Sequence, residues 1–591
     1  MLRSKRTQLA AASVIAAGTL LGAGAALAGG LGGFNTREAP MLSADTPNTS
    51  GTFSVDPVLT VGEELPSGTD RNAQKLGYTI PGILDGLGAT QLDDKVVRVF
   101  VNHEFGFGAG FPYELANGTQ LTGARISYVD INRNTRKAIH GELAYQTMYA
   151  RDGSVVDSVS DLDYPGLNRL CSGSFYEAEQ FGPGNGFADA MYITNEESSS
   201  RFDGPGGSYW ALDPANGDLW ALPSLGRGAW ENLTQLDAGR TDTVALMLAD
   251  DFGTRDSSFD VNPAPPLYLY VGQKDASGDF LARNGLRDGR LFVWISDDGD
   301  KDPRDFNGTG SMRVGRWLEI TDINFRTDLV GADAAALDTD GNEDTGIGVP
   351  RGDGQFVGAD YTPDGYAVDS TLRIAGRDAG AFLLSRPEDI ATDPADGTRA
   401  VIASTGRERL FDGADIWGTT YIFDVDFAFD EKGEFDPAAS TTTAEIIYDG
   451  NETGDFGLRS PDNLDWADNG LVYVQEDRAI SSSLFGQSSG AEASVWKLNP
   501  NTYQATRVLE MDRSAVPFGQ TDTDPDDLGD WESSGIIDVT SLFPTSEGER
   551  LFLLDVQAHA IREGAIIQGE DGDRNTSLVE GGQLMFASEP E

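Results

Sequence analysis

The sequence predicts an all-β fold, a β-propeller with long loop insertions and few short helices. Three observations carry that prediction. Strand-like runs are many and short, Gly, Asp, Asn and Pro turns separate them, and one hairpin pattern occurs twice. In chain order the runs are Val96–Val101, Ala124–Ile131, Ala190–Thr194, Leu267–Val271, Leu291–Ile295, Ala400–Ser404, Thr420–Val425, Leu471–Gln475 and Leu551–Val556. The repeated hairpin is Tyr209-Trp210-Ala211-Leu212-Asp213-Pro214, which turns into Leu219-Trp220, and Val495-Trp496-Lys497-Leu498-Asn499-Pro500, which turns into Thr502–Leu509. Such aromatic-x-Leu-Asp/Asn-Pro hairpins suit the outer strands of propeller blades. Repetition without a strict period favours a propeller over a sandwich, with a generic all-β chain as the alternative.

The chain begins with an export pattern. Arg3, Lys5 and Arg6 precede an Ala/Leu/Gly-rich stretch that ends in Ala26-Leu27-Ala28, so residues 1–28 read as a signal peptide. No adjacent arginine pair is present, which favours the general secretory route. An uncleaved anchor is the alternative, although many Gly and Ala make it a weak membrane span. Residues 29–60 are expected to form an irregular lead-in, residues 61–591 a single domain, and the last few residues from Ala587 a frayed end. The mature protein is expected to be periplasmic or extracellular and monomeric.

Charge excludes some functions. The chain carries 95 Asp and Glu against 43 Lys and Arg, a formal charge of −52. Such a surface repels nucleic acid and anionic membranes, so neither is an expected partner. The acids are either solvated surface or ligands of divalent cations. Three histidines are too few for a typical multi-histidine zinc site, while abundant oxygen ligands point to hard cations. Cys171 is the only cysteine and cannot form an intrachain disulfide. It is an inert buried residue, a nucleophile or a metal ligand.

Polar groups cluster where the predicted strands end, and a propeller brings such ends to one central mouth. They are Asn102-His103-Glu104, Cys171, Asn195-Glu196-Glu197, Asp250-Asp251, Ser385-Arg386-Pro387-Glu388-Asp389, Ser460-Pro461-Asp462-Asn463 with Glu476-Asp477, and Trp531-Glu532-Ser533 with Asp555–His559. Singly each reads as a solvated turn. Together they read as a site for several cations.

The order of these stretches resembles the PhoX-type alkaline phosphatases. Asn102-His103-Glu104, Leu121-Thr122-Gly123-Ala124-Arg125, Cys171-Ser172-Gly173-Ser174, Glu196-Glu197, Asp250-Asp251, Arg386-Pro387-Glu388 and Ser460-Pro461-Asp462-Asn463 carry the resemblance over about residues 90–570, with Gly535–Asp538 and Asp555–His559 beyond them. It implies a propeller, here expected with six blades, whose central site combines iron and calcium with a cysteine among the iron ligands. By that resemblance Glu104, Cys171, Glu196, Glu197, Asp250, Glu388, Asp462 and Glu532 are the candidate metal ligands. As the family pattern reads, an acid opens the strand near residue 267, where this chain has Pro265-Pro266-Leu267-Tyr268.

Chemistry is consistent with that expectation. A phosphate monoester is a dianion, and carboxylates repel it unless cations invert the local charge. Clustered cations polarise phosphoryl oxygens and activate water, and a thiolate strengthens an iron site. Arg386 is the candidate phosphate clamp, with ion pairing to Glu388 or Asp389 as the plainer role. His559 is expected either to protonate a leaving group or to orient a ligand. The expected activity is a secreted metal-dependent phosphomonoesterase acting on small organic phosphate esters. The alternatives are a phytase-like or phosphodiesterase-like relative and a noncatalytic extracellular binding propeller stabilised by calcium. Asp298–Asp302 and Asp338–Asp344 look like calcium-loop fragments but lack the full loop pattern, and Asn232-Leu233-Thr234 and Asn307-Gly308-Thr309 match the glycosylation pattern.

Overall fold

The computed structural model describes residues 33–68, 76–200, 204–254, 262–331, 361–563, 566 and 577–590. The expected signal peptide and the acidic stretch Asp338–Asp344 lie outside them.

The described residues form an almost all-β ring of antiparallel sheets, built in chain order. The first sheet holds Leu84–Asp93, Val96–His103, Arg125–Asn132 and Lys137–Leu143. The second holds Leu170–Tyr176, Met191–Glu196, Tyr209–Asp213 and Asp218–Ala221, with Thr147–Tyr149 added in parallel at its edge. Trp230–Leu236, Thr243–Asp250, Tyr268–Gln273 and Gly289–Ser296 follow, and then Pro387–Asp393, Asp396–Ser404, Thr419–Asp426 and Thr441–Asp449. The strand Met312–Glu319 joins the outer edges of these two groups, so they form one nine-stranded sheet. Next come Pro461–Trp466, Val472–Glu476, Ser494–Asn499 and Gln504–Met511, and finally Trp531–Asp538, Arg550–Ala558 and Gly581–Glu589.

The first strand of each group faces the axis. Leu84–Asp93 packs beside Leu170–Tyr176, then Trp230–Leu236, Pro387–Asp393, Pro461–Trp466 and Trp531–Asp538 follow, and the last returns to Leu84–Asp93. The arrangement is that of a propeller. Each of the nine strand runs read from the sequence falls on one of these strands, those from Ala124, Ala190, Leu267 and Leu471 starting one residue before it, and both repeated hairpins form the outer pair of their groups.

Burial explains why strict alternation is missing from many strands. Neighbouring sheets cover both faces, so every residue of Arg125–Asn132 and of Thr243–Asp250 is buried. Trp230, Trp294 and Trp531 are fully buried between sheets. Helices are few, and Asp369–Ala379 is the longest among the described residues, at 11 residues. No helix among them is long and apolar enough to cross a membrane.

Two expectations about the ends are corrected. Ser54–Thr60, read as part of an irregular lead-in, is a strand paired antiparallel with Gly581–Glu589, so it completes the last sheet. That pairing also holds Ala587 against Val55 in a regular ladder, where fraying was expected. The cause is tertiary: the last sheet has only three strands of its own, and Val58 and Leu59 are buried on closing it.

Candidate metal centre

Each axial strand begins the same way, with an apolar or proline residue, a ligand-type residue and a small or polar one. The triplets are Leu84-Asp85-Gly86, Leu170-Cys171-Ser172, Trp230-Glu231-Asn232, Pro387-Glu388-Asp389, Pro461-Asp462-Asn463 and Trp531-Glu532-Ser533. The pairing is equally regular. The first residue of each triplet lies opposite the last residue of the next strand: Leu84 opposite His103, Leu170 opposite Glu196, Trp230 opposite Asp250, Pro387 opposite Ser404, Pro461 opposite Glu476 and Trp531 opposite Ala558. In the first five of these strand pairs three steps along the axial strand then span two of its neighbour, a β-bulge that frees the second residue to turn toward the axis. Bulges cluster beside active sites for this reason.

The backbone before these strands is strained. Ile83, Arg169, Arg386 and Ser460 all have positive φ, from 42° to 63°. Such conformations cost about 1–3 kcal/mol each in non-glycine residues and persist only where the surroundings impose them. Gly86 shows how close the axial strands come: a Cβ there would lie 2.2 Å from the Gly173 nitrogen.

The neighbouring strands supply a second ring. The residue just past each one is Glu104, Glu197, Asp251, Thr405, Asp477 or His559. All but Thr405 line a central cavity of about 470 Å³, together with Cys171, Glu231, Glu388, Asp462 and Glu532. Thr405 instead donates to Glu388 at 2.7 Å. Four overlapping sets have ligand atoms within 4.8 Å of one another: Asp85, Glu104 and Cys171; Cys171, Glu197 and Glu231; Glu231, Glu388 and Asp462; Asp462, Asp477 and Glu532. Cys171, Glu231 and Asp462 each belong to two sets.

Cationic side chains hold part of this charge. Arg386 forks onto Asp251 with two 2.7 Å hydrogen bonds and reaches Glu388 at 3.0 Å. Arg169 bridges Glu104, at 2.8 Å, and Glu197. His559 sets its two ring nitrogens against Glu580, at 2.6 Å, and Glu532, at 3.2 Å. Burial alone would lower the His559 pKa, but those two carboxylates raise it well above the ordinary value. Asp251 is the carboxyl that stays low, because Arg386 outweighs its burial.

Several neighbouring acids are pushed upward instead. Burial, then neighbouring carboxylates, raise Glu231, Glu388 and Asp462 well above the carboxylate range. Burial raises Glu197 to about 8 despite Arg169, and raises Asp477 to about 7 with help from Glu532. The Cys171 thiol is raised by burial and then by Glu104. So many like charges cannot all ionise together without cations among them. The donor set fits hard cations, with one soft thiolate, and the buried Oε2 of Glu231 has no hydrogen-bond partner.

No family model matches this sequence, and no curated protein matches it. Among solved structures, Pseudomonas fluorescens PhoX in complex with vanadate, a transition state analogue, is similar with a TM-score of 0.56 at 14% identity, covering 94% of this chain and 98% of that one. The fold is PhoX-like. The α-L-arabinofuranosidase Arb93A of Fusarium graminearum with an iminosugar inhibitor gives a TM-score of 0.33 at 8% identity, over 90% of this chain and 98% of that one, too distant a likeness to argue from.

Within this PhoX-like fold, Glu104, Cys171, Glu197, Arg386, Glu388, Asp462, Glu532 and His559 of the sequence-derived set line the one cavity. Glu196 and Asp250 do not. Each is the last residue of its strand, one position before the residue that enters the cavity, and side chains alternate in direction along a strand. Glu196 accepts from the Asn168 and Ser208 amides, and Asp250 is forked by Arg373 at 2.7 and 2.8 Å. The sequence-derived set lacks Asp85 and Glu231, and it holds Asp251 and Asp477 in its polar clusters but not among its ligands. The repeated triplet is the signal that would have found the first two. Pro265–Tyr268 lies outside the cavity, opening the third strand of its sheet. Asn232 is buried on an axial strand, so its glycosylation pattern cannot be modified in the folded chain. Asp300 and Asp302 are paired with Arg313 and Arg304, which accounts for that acidic loop without a cation.

Proposed function

We propose that this chain is a secreted, metal-dependent phosphomonoesterase acting on small organic phosphate esters, with iron and calcium as its cations. The observation that carries the reading is the run of four ligand sets sharing Cys171, Glu231 and Asp462, which suits several cations side by side. The PhoX-like fold supports it, since the similar structure holds vanadate, a transition state analogue. Asp85, Glu104, Cys171, Glu197, Glu231, Glu388, Asp462, Asp477 and Glu532 would hold the cations. Bound there, they would neutralise an incoming dianion, polarise its phosphoryl oxygens and activate water.

The protein's own groups have separable tasks. Arg169, nearly half exposed at the mouth, is placed to receive an anion, while Arg386 is already forked onto Asp251 and offers only its remaining edge. His559, committed through both ring nitrogens, orients Glu532 rather than protonating a leaving group. It takes the place in the second ring that Glu104, Glu197, Asp251 and Asp477 fill after their own strands.

Hydrolysis of a chromogenic phosphate monoester by protein loaded with iron and calcium tests this reading. Turnover should collapse in Cys171→Ser while the fold is retained. A fully loaded wild type without turnover across a broad pH range would sink it. The prior engagement of Arg386 by Asp251 favours the second reading, a calcium-stabilised binding propeller, in that case.

A further inference from the structure

Four of the six strands that neighbour the axial ones share a pattern, an amide residue two positions before the residue that enters the cavity. The pairs are Asn102 and Glu104, Asn195 and Glu197, Gln475 and Asp477, and Gln557 and His559. Side chains two apart leave a strand on the same side, so the amides point inward as well. All four are fully buried.

Each amide reaches into the next group of strands. Asn102 donates to the main-chain oxygens of Cys171, at 2.5 Å, and Ser172, at 3.1 Å. Asn195 donates to those of Trp230, at 2.7 Å, and Glu231. Gln475 donates to the Ser533 hydroxyl at 2.5 Å and the Ser534 main-chain oxygen at 3.2 Å. Gln557 donates to Asp85 at 3.2 Å, which links the last group back to the first. Where the amide is missing the link is made otherwise, by Arg386 on Asp251 and by the Thr405 hydroxyl, 2.9 Å from the Pro461 carbonyl oxygen.

Asn102 and Asn195 stand apart because they end on the backbone of a candidate ligand. Cys171-Ser172 and Glu231-Asn232 are the residues that the β-bulges take off the ladder. Backbone oxygens off the ladder need another donor when they are buried. A carboxamide nitrogen carries two N–H groups in one plane, so it can meet two successive carbonyls and fix the orientation of both peptides.

We propose that Asn102 and Asn195 are positioning residues of the metal centre. Each holds the bulge that presents the ligand of the next group, Cys171 or Glu231, and so sets the geometry of the set that these two form with Glu197. The inference rests on the proposed cation centre, and the amides act on it through the ligands' backbone rather than by touching a cation.

Cobalt(II), whose absorption reports ligation by a thiolate, tests this when titrated into the chelated full chain. Asn102→Ala should weaken binding read at the Cys171 thiolate band by about tenfold or more and change the band at saturation, and Asn195→Ala should weaken it similarly. Gln475→Ala removes an equally buried amide whose partners lie in the last group, so it should leave the thiolate band and its titration as in wild type. If Asn102→Ala fails to fold by circular dichroism, Asn102→Ser, shorter and still polar, takes its place with the same expectation. A folded Asn102 or Asn195 variant that titrates like wild type overturns the inference. So does an equal loss in Gln475→Ala, which would mark general loosening. In both cases the wild-type band stands, and with it Cys171 as a ligand. A wild type with no thiolate band instead removes Cys171 from the centre and overturns the proposed ligand set together with the inference.

Discussion

Glu196 and Glu197 are consecutive, yet they serve opposite sides of one strand end. Glu197 lies 3.6 Å from the Cys171 sulfur, while Glu196 is tied to the amides of Asn168 and Ser208. The same division recurs at Asp250 and Asp251, where the first is locked to Arg373 and the second meets Arg386.

That division gives the first prediction. Glu197→Gln should weaken cation binding by about tenfold or more, whereas Glu196→Gln should leave metal stoichiometry unchanged. Elemental analysis after dialysis against graded chelator distinguishes them. Equal losses in both variants would contradict the geometry.

The second prediction concerns pH. Burial and like charges raise Glu231, Glu388 and Asp462, and raise Glu197 to about 8, so the cation-free fold prefers these groups protonated. Their contribution is fully present below the ordinary carboxylate range and is lost as pH rises above it, for Glu197 through about 8. The melting temperature of chelated protein should therefore fall steadily from pH 5 to pH 9. Bound cations should remove most of that slope by favouring the ionised, folded state. Scanning calorimetry with and without chelator measures both curves, and a flat chelated curve would refute the account.

Asp415 allows a cleaner test away from the cavity. It is fully buried, one of its oxygens has no partner, and burial plus the nearby Asp449 raise it to about 8. Asp415→Asn removes the ionisation and keeps the hydrogen bond with Thr419 within reach. The variant should match wild type near pH 5 and exceed it by about 1 kcal/mol or more at pH 9. Denaturant unfolding at the two pH values reads the difference.

Arg459 should be among the costliest residues to remove. It is fully buried and contacts Glu476 at 2.7 and 3.1 Å and Asp455 at 3.0 Å. Arg459→Met would strand two carboxylates in the interior and cost about 3–5 kcal/mol of stability. A much smaller loss in denaturant unfolding would mean that water reaches the pair.

The strands and the gathering of distant acids were legible because short runs between turn residues are local signals. Strand direction was less legible. At Asn195-Glu196-Glu197 and Asp250-Asp251 the sequence offers adjacent acids, and which one enters the cavity depends on where the strand stops, a property set by pairing. Asp85 and Glu231 stayed hidden for another reason. Each is an isolated acid next to an apolar residue, and it becomes conspicuous only when the six axial strands are laid side by side. The closing strand Ser54–Thr60 was invisible because its partner Gly581–Glu589 lies more than five hundred residues away.

That closing strand fixes when the centre can exist. The candidate ligands Glu104 and Glu532 come from opposite ends of the chain, and the last sheet is finished only when both ends meet. A chain emerging from a membrane or a ribosome can build its early sheets one by one, but it cannot assemble the whole cation cluster until its final strand has arrived. Under the proposed function, loading would therefore be a late step of folding, and a chain shortened at either end would keep most of its sheets while losing the enclosure that gathers the acids.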